Sequence, residues 1–421
     1  MRLFTIVILL GVVFSISAQQ RHRGTNVPER PREVLFYDSI VIPSNDSFKI
    51  YFTYKIGYNN LFFVKTNGLF NSGLTFNIEV MGDDKVVFRG SDEKNISVAD
   101  YELTESKENF VNGIIEFELE EGKYNLRPFI KLENTNQEFK LRQLPLSLSS
   151  EDSLIKPIVI DSESLICNSD TLTKLLNFRN TLIFGEYGNI ILFTVPNNYD
   201  EVSIEFIQNG KSISNKFYKS SGQGSLLLES CDNDLAVKID GSELKYNFVF
   251  VDGISKYLDE GFADVVLSFE DKKHNYKIET FWLDKPRSLG NIEIAVDALE
   301  LIADDESISK ITSLDDRDKL RGIKDYFKEY DPDITTPFNP VMNEFYQRVD
   351  YAVVEFSNID EPNGLKTDFG KIYVLYGTPD NRQRTYSESN EIIEIWSYNK
   401  IDLKFYFKDK TGMGNFKLIK Q

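Results

Sequence analysis

Between Glu33 and about Leu148, apolar and polar residues alternate in short runs such as Phe48-Lys49-Ile50-Tyr51-Phe52-Thr53-Tyr54, broken by turn residues at Gly57, Asn67-Gly68, Gly82-Asp83-Asp84 and Asn112-Gly113. A period of two marks strands with one buried face, because successive side chains point to opposite sides. Turn signals this dense predict an antiparallel, Ig-like β-sandwich at residues 34–148. Near its end, Glu121-Gly122-Lys123-Tyr124 leads into Leu126-Arg127-Pro128-Phe129-Ile130, a turn and strand with an early Tyr of the kind that closes sandwich corners. The Ser-rich stretch Leu146 to Ser153 reads as a linker. Pro157-Ile158-Val159-Ile160 then opens a second β region, read as a second tandem sandwich over residues 157–286, whose Glu260-Gly261 turn echoes Glu121-Gly122.

The period changes near Asn291. Ile292, Ala295, Leu299 and Ile302 recur at helical spacing; Ser313 reads as the N-cap of a second helix bearing Leu320, Ile323 and Phe327; Met342, Phe345, Val349, Ala352 and Phe356 stripe a third. Four strand candidates follow: Lys371 to Tyr376, Ile392 to Tyr398, Leu403 to Phe407 and Asn415 to Ile419. Residues 290–421 are therefore expected to form an α+β module, helices packed on an antiparallel meander. Because Ile372-Tyr373-Val374-Leu375 is apolar on both faces, its strand is expected inside the sheet.

The N-terminus changes where these domains are expected to work. Arg2, the apolar run Leu3 to Phe14 and Ser15-Ile16-Ser17-Ala18 follow the charged, hydrophobic, small-residue order of a signal peptide over residues 1–18, cleaved near Ala18, with a disordered leader at 19–33. The run is shorter than the roughly 20 residues a membrane helix needs, so no transmembrane span is expected after cleavage, and the protein is read as secreted or periplasmic. With 48 basic against 66 acidic residues, net charge −18, nucleic acid is not an expected partner. Cys167 and Cys231 are the only cysteines and fall in one β region; the sequence leaves open whether they form a disulfide or remain two buried thiols.

The C-terminal run carries the one specified motif. It comprises Gly364, Thr367 and Asp368, then Tyr376, Gly377, Pro379 and Asp380, then Glu394, Trp396 and Tyr398, preceded by Asn343-Glu344-Phe345 with Arg348, Tyr351 and Ala352. This pattern resembles the GWxTD domain, a module of secreted bacterial proteins, chiefly of the Bacteroidota line, whose biochemical role is not established. The resemblance covers about residues 290–421. This chain departs from it where the family's Trp is Leu365, the Arg after its Asp is Phe369 and the next Arg is Lys371, so a clamp built on those positions would be degraded here.

Few chemistries are open to these residues. Histidine is confined to His22 in the leader and His274 in a turn, which disfavours a His-based triad or zinc site, and no metal or cofactor is expected. Gly364 through Lys371 lacks the spacing and the Ser or Thr of a phosphate loop. Carboxylate and phenol groups remain: Asp368, Asp380 and Glu394, with Tyr376 and Tyr398, are the only set able to meet at one end of the meander. Two carboxylates about 5 to 9 Å apart can cleave a glycosidic bond, so a hydrolase acting on envelope or extracellular glycan is the alternative reading. The leading expectation is an exported, non-enzymatic envelope protein, a binding or scaffold module for an envelope protein or glycan, in which the motif residues are structural.

Overall fold

The computed structural model describes residues 35–420 apart from 45, 46, 107, 136, 152 and 153; the expected signal peptide and leader, with His22, lie outside the described residues. The chain is mostly β, with a C-terminal α+β region. It divides into two compact units, residues 35–285 with Phe327–Met342, and residues 286–326 with 343–420. Among the described residues no helix is long and apolar enough to cross a membrane.

In the first unit the period-two pattern becomes sheet. Leu35–Pro43, Phe48–Gly57 and Phe110–Leu119 form a three-stranded antiparallel sheet, and Leu69–Gly82 with Gly122–Leu132 form the centre of a six-stranded one. Alternate residues Leu74, Phe76, Ile78 and Val80 are buried against Phe52 and Tyr54, whose ring stacks on Phe76 at 4.3 Å. Tyr124 Oη donates to the Glu120 carbonyl at 3.2 Å, the backward bond expected of a corner Tyr. The stretch read as a linker begins as strand: Leu144–Leu148 pairs with Gly122–Leu132, and Leu146 and Leu148 are core residues. Across the first sheet, Ile40, Ile42 and Tyr51 enter a second core with Ile158, Leu192 and Phe248.

Residues 158–281 depart from a plain antiparallel sandwich. Six strands close into a barrel, in the order Ile158–Cys167, Asp170–Leu175, Asp234–Asp240, Gly222–Cys231, Tyr246–Asp252 and Asn189–Pro196. A five-stranded sheet accompanies it, in which Leu182–Ile183 runs parallel to Lys272–Phe281. Closure removes sheet edges that a sandwich would have to protect.

The second unit holds more helix than expected. The first helix stops at Leu299, leaving Ile302 outside it and 39% exposed, and a separate helix Asp305–Thr312 follows, capped by Asp304 accepting from Ser307 N at 2.7 Å. Ser313 ends that helix, and the next, Asp316–Phe327, starts on the Asp315 carbonyl. The expected central strand Lys371 to Tyr376 is instead the last turns of a helix, Asp368–Tyr376. The four-stranded antiparallel sheet is completed by Asn381–Tyr386 at one edge, followed by Ile392–Tyr398, Leu403–Asp409 and Lys417–Lys420. Asn381–Tyr386 is polar and exposed throughout, so it lacks the alternation by which strands are recognised.

Candidate functional site

The motif centres on a turn in which backbone packs directly on backbone. A Cβ at Gly364 would lie 2.1 Å from the Ala352 carbonyl oxygen, and one at Gly370 would lie 1.9 Å from the Gly364 oxygen, so both positions are closed to any side chain. Thr367 joins the two: its Oγ1 donates to Gly364 O at 2.7 Å and accepts from Gly370 N at 3.0 Å. That second bond makes Thr367 the N-cap of Asp368–Tyr376. Asp368 occupies the first helical position, where the helix dipole favours a negative charge, and its Oδ2 accepts from Leu418 N at 2.8 Å, tying the helix start to the terminal strand. At the other end Gly377, at φ +76°, turns the chain, and its N–H bonds Tyr373 O at 2.7 Å.

The next turn uses its residues in the same way. Asp380 Oδ2 accepts from Asn399 N at 2.6 Å, Tyr398 Oη donates to Gly377 O at 2.9 Å, and half-buried Pro379 lies between. Tyr376 packs its ring on Phe405 at 5.0 Å and on Tyr398 at 5.7 Å. Burial, with a lesser contribution from Tyr373, raises the Tyr398 hydroxyl far above its ordinary range. The Tyr398 phenol is therefore held protonated at neutral pH.

Glu394 is the most unusual group in the unit, a carboxylate buried to 1% exposure in the middle of a strand. Its Oε1 accepts from Arg382 Nε at 3.0 Å and Nη2 at 2.8 Å and from Trp396 Nε1 at 2.8 Å, while Oε2 accepts from Arg384 Nε at 2.8 Å. Burial pushes the carboxyl up, but the Trp396, Arg384 and Arg382 donors outweigh it and hold it below the ordinary glutamate range. Trp396 is fully buried between two flat groups, the Phe369 ring stacked on it at 4.8 Å and 5°, and the Arg382 guanidinium 4.9 Å from its centroid. Phe369 also meets Phe407 at 4.5 Å and Phe416 at 4.8 Å. This aromatic layer fills the helix-facing side of the sheet between Glu394 and the strand that Asp368 holds. Glu394 is thus committed to the donors of Arg382, Arg384 and Trp396, and Asp368 to the Leu418 N–H.

The family profile of the GWxTD domain matches the chain from 267 to 421. Residues 267–421 are a GWxTD domain. The match begins earlier than the motif alone implied, taking in the strand Lys272–Phe281 and Trp282. No protein of curated function matches the chain. Within the domain, the three departures land in different places: Leu365 is buried, Phe369 is at the centre of the aromatic layer, and Lys371 is exposed.

The structure brings Gly364, Thr367 and Asp368 together at one turn and Gly377, Pro379, Asp380 and Tyr398 at another, with Glu394 and Trp396 in a third cluster. The sequence reading passed over Arg382 and Arg384, which balance Glu394, because a strand without alternation gave no reason to place them opposite it; the register pairs Arg384 with Glu394 and Arg382 with Trp396. Asp350, which lies off the apolar stripe of the third helix, has a carboxylate that accepts from Arg287 N and Ser288 N at 2.5 and 2.8 Å. Outside the domain's motif, His274 stacks on Phe269 at 5.2 Å, and Cys167 and Cys231 are both buried as free thiols. Among the described residues no group of three or more His, Cys, Asp or Glu is arranged to hold a metal ion.

Proposed function

We propose that the protein is an exported, non-enzymatic binding module, in which two tandem β-sandwich-type units, the second built around the closed barrel, present the GWxTD domain to a partner in the cell envelope. The observation that carries this reading is how the motif's polar groups are used. Thr367 caps a helix, Asp368 and Asp380 hold backbone N–H groups, and Glu394 is enclosed by Arg382, Arg384 and Trp396. Groups so committed build a rigid scaffold and leave no acid–base pair facing a cleft.

The same arrangement supports one surface as the point of contact. Among the described residues Asn381–Tyr386 pairs only with Ile392–Tyr398, leaving the backbone of its outer edge to an incoming strand. Arg382 and Arg384 are anchored on Glu394 through some of their N–H donors and have others to spare, and Tyr386 is 68% exposed beside them. On a chain of net charge −18, an edge strand bearing two oriented guanidinium groups suits an acidic extended segment of an envelope protein.

The test is crosslinked capture from cell envelope with the full chain and with an Arg384→Glu, Tyr386→Ala variant. Loss of the same partner from the variant, with its circular dichroism unchanged, is the expected result. Glycan cleavage by the full chain that disappears in a folded Asp368→Asn variant would overturn the reading in favour of a hydrolase.

A further inference from the structure

The two cysteines stand at corresponding places in two separate hairpins. Cys167 ends the strand Ile158–Cys167 and pairs with Asp170 across a tight turn; Cys231 ends Gly222–Cys231 and pairs with Asp234 across another. Both turns use left-handed residues, Asn168 and Ser169 in the first and Asp232 in the second. The strands that bear the two cysteines are not neighbours in the barrel, yet the thiols meet. Cys167 Sγ lies 4.0 Å from Ser230 O and Cys231 Sγ lies 3.7 Å from Ile166 O, so each sulfur reaches the carbonyl just before the other cysteine. Leu172, Ala236 and Leu165 pack around the pair in a small core of their own.

The first hairpin makes this possible by leaving the barrel surface. Asp170–Leu175 pairs with Asp234–Asp240 at two positions only, Thr173 with Val237 and Lys174 with Ala236. Beyond them the tip swings across, and Lys238 meets Asp170 at 3.2 Å and Glu229 at 3.6 Å. Lys174 also meets Asp234 at 3.3 Å, and a hairpin held to its neighbour by two ladder positions, part-exposed ion pairs and the small core of Leu172, Ala236 and Leu165 is weakly anchored.

We propose that Cys167 and Cys231 form an intramolecular disulfide that fixes this hairpin tip to the barrel. In the forward step one cysteine, as thiolate, attacks a disulfide donor, glutathione disulfide in vitro or a dithiol–disulfide oxidoreductase in an oxidising compartment, and releases one donor thiol. The second cysteine, also as thiolate, then attacks the mixed disulfide and releases the other. The chain loses two hydrogens and gains one S–S bond, and the donor is reduced to two thiols. The bond is structural: the hydrogen bond with Cys167, and then burial, push the Cys231 thiol up to about 11, the opposite of what a redox-active cysteine requires.

The test refolds the full chain from denaturant in a glutathione redox buffer, so that access to buried thiols does not limit the reaction, and then alkylates it under denaturing conditions. The expected product has no alkylatable thiol, a mass lower by two hydrogens, and one peptide crosslink joining Cys167 to Cys231; Cys231→Ser leaves one reactive thiol. In the oxidised protein, amide exchange in residues 161–175 slows at least several-fold relative to the reduced form. Two alkylated thiols, or glutathione on each cysteine of the folded protein, would overturn the proposal, as would a crosslink that leaves exchange in 161–175 unchanged.

Discussion

In residues 35–285 the buried polar side chains are hydroxyls and amides, with Lys55 as the one buried charge among the described residues. Asn177 Nδ2 donates to Tyr54 O at 2.8 Å and Asn112 Oδ1 at 2.9 Å, Asn112 Nδ2 to Asn233 O at 2.9 Å, and Asn233 Nδ2 to Phe110 O at 2.6 Å, a chain of bonds between the two β regions of that unit. In the C-terminal unit the same task falls largely to carboxylates: Glu394 on its arginines, and Asp409 accepting from Thr411 N, Gly412 N and Gly414 N at 2.7 to 2.9 Å. Amides do not titrate, whereas a carboxylate held by donors ties the stability around it to pH. The two units should therefore differ in what unfolds them. Trp282 in the first and Trp396 in the second are the only tryptophans, so Trp396→Phe and Trp282→Phe backgrounds report each unit by itself.

The largest separation should come from Gly370→Ala. Its Cβ would have to displace the Gly364 carbonyl, which is backbone fixed by Thr367 and by the helix it abuts. A loss of about 3 kcal/mol or more is expected in the C-terminal unit. Urea unfolding followed by Trp396 should shift accordingly, with the Trp282 transition in place; equal shifts of both would mean that the two units unfold together.

That glycine shows what was and was not legible in the sequence. The alternation around Phe48 to Tyr54 and the stripe from Phe345 to Phe356 gave sheet and helix, because each pattern matched the period of the element that buries it. Ile372-Tyr373-Val374-Leu375 misled, because β-branched and aromatic residues favour strands when taken as a run. The competing signals were local: Thr367 as N-cap, Asp368 in the first turn, Gly377 just past the last, and Phe369, Ile372 and Tyr376 at helical spacing. The ligation of Glu394 was beyond reach, since it depends on the register of a strand with no apolar face. The meeting of the cysteines depends on a hairpin crossing its own barrel, which no spacing encodes.

Removing the buried charge should have a smaller and pH-dependent effect. Glu394→Gln keeps an acceptor for Trp396 Nε1 but loses the ion pairs, at a cost of about 1 to 2 kcal/mol near neutral pH. The wild-type carboxyl titrates lower when folded than when unfolded. Its contribution is therefore complete above the ordinary glutamate value of 4.5 and fades as pH falls through the lower folded value. The stabilities of variant and wild type, read from Trp396, should converge in acid, and a gap independent of pH would assign the loss to packing.

Lys55 is one exception on the other side, an ammonium in the first unit, where burial also raises the Asp38 carboxyl to about 6. Lys55 donates to Leu176 O at 3.0 Å and lies 3.8 Å from the Phe178 centroid and 4.7 Å from that of Phe110. Burial first, then Lys174, lower it to about 8, against Asp234, Glu186 and Asp161, which act the other way. Between that value and the ordinary 10.5 the unfolded chain holds more protons than the folded one, so stability of this unit should rise with pH above about 8. Lys55→Met should abolish the rise while changing stability near neutral pH by about 1 kcal/mol. The comparison is made below about pH 10, before unfolded tyrosines ionise and reverse the trend.

The smallest expected effect is that of Arg384→Ala, and it decides whether the edge strand serves the fold or a partner. Arg384 has a side chain 69% exposed and contacts Glu394 through one bond, while Arg382 and Trp396 retain the other carboxylate oxygen. The pair is exposed only on the arginine side, the Glu394 side chain being 2% exposed, so losing this one donor is expected to cost about 1 kcal/mol, and less as salt is raised. Urea midpoints read from Trp396 should therefore move little, and the movement should shrink further at high ionic strength. If the Glu394 cluster existed only to neutralise a buried carboxylate, losing one of two arginines would weaken the unit while leaving any envelope contact intact. A variant that folds with nearly wild-type stability yet loses its partner would instead separate the two roles: Arg382 and Trp396 hold the carboxylate, and Arg384 is displayed.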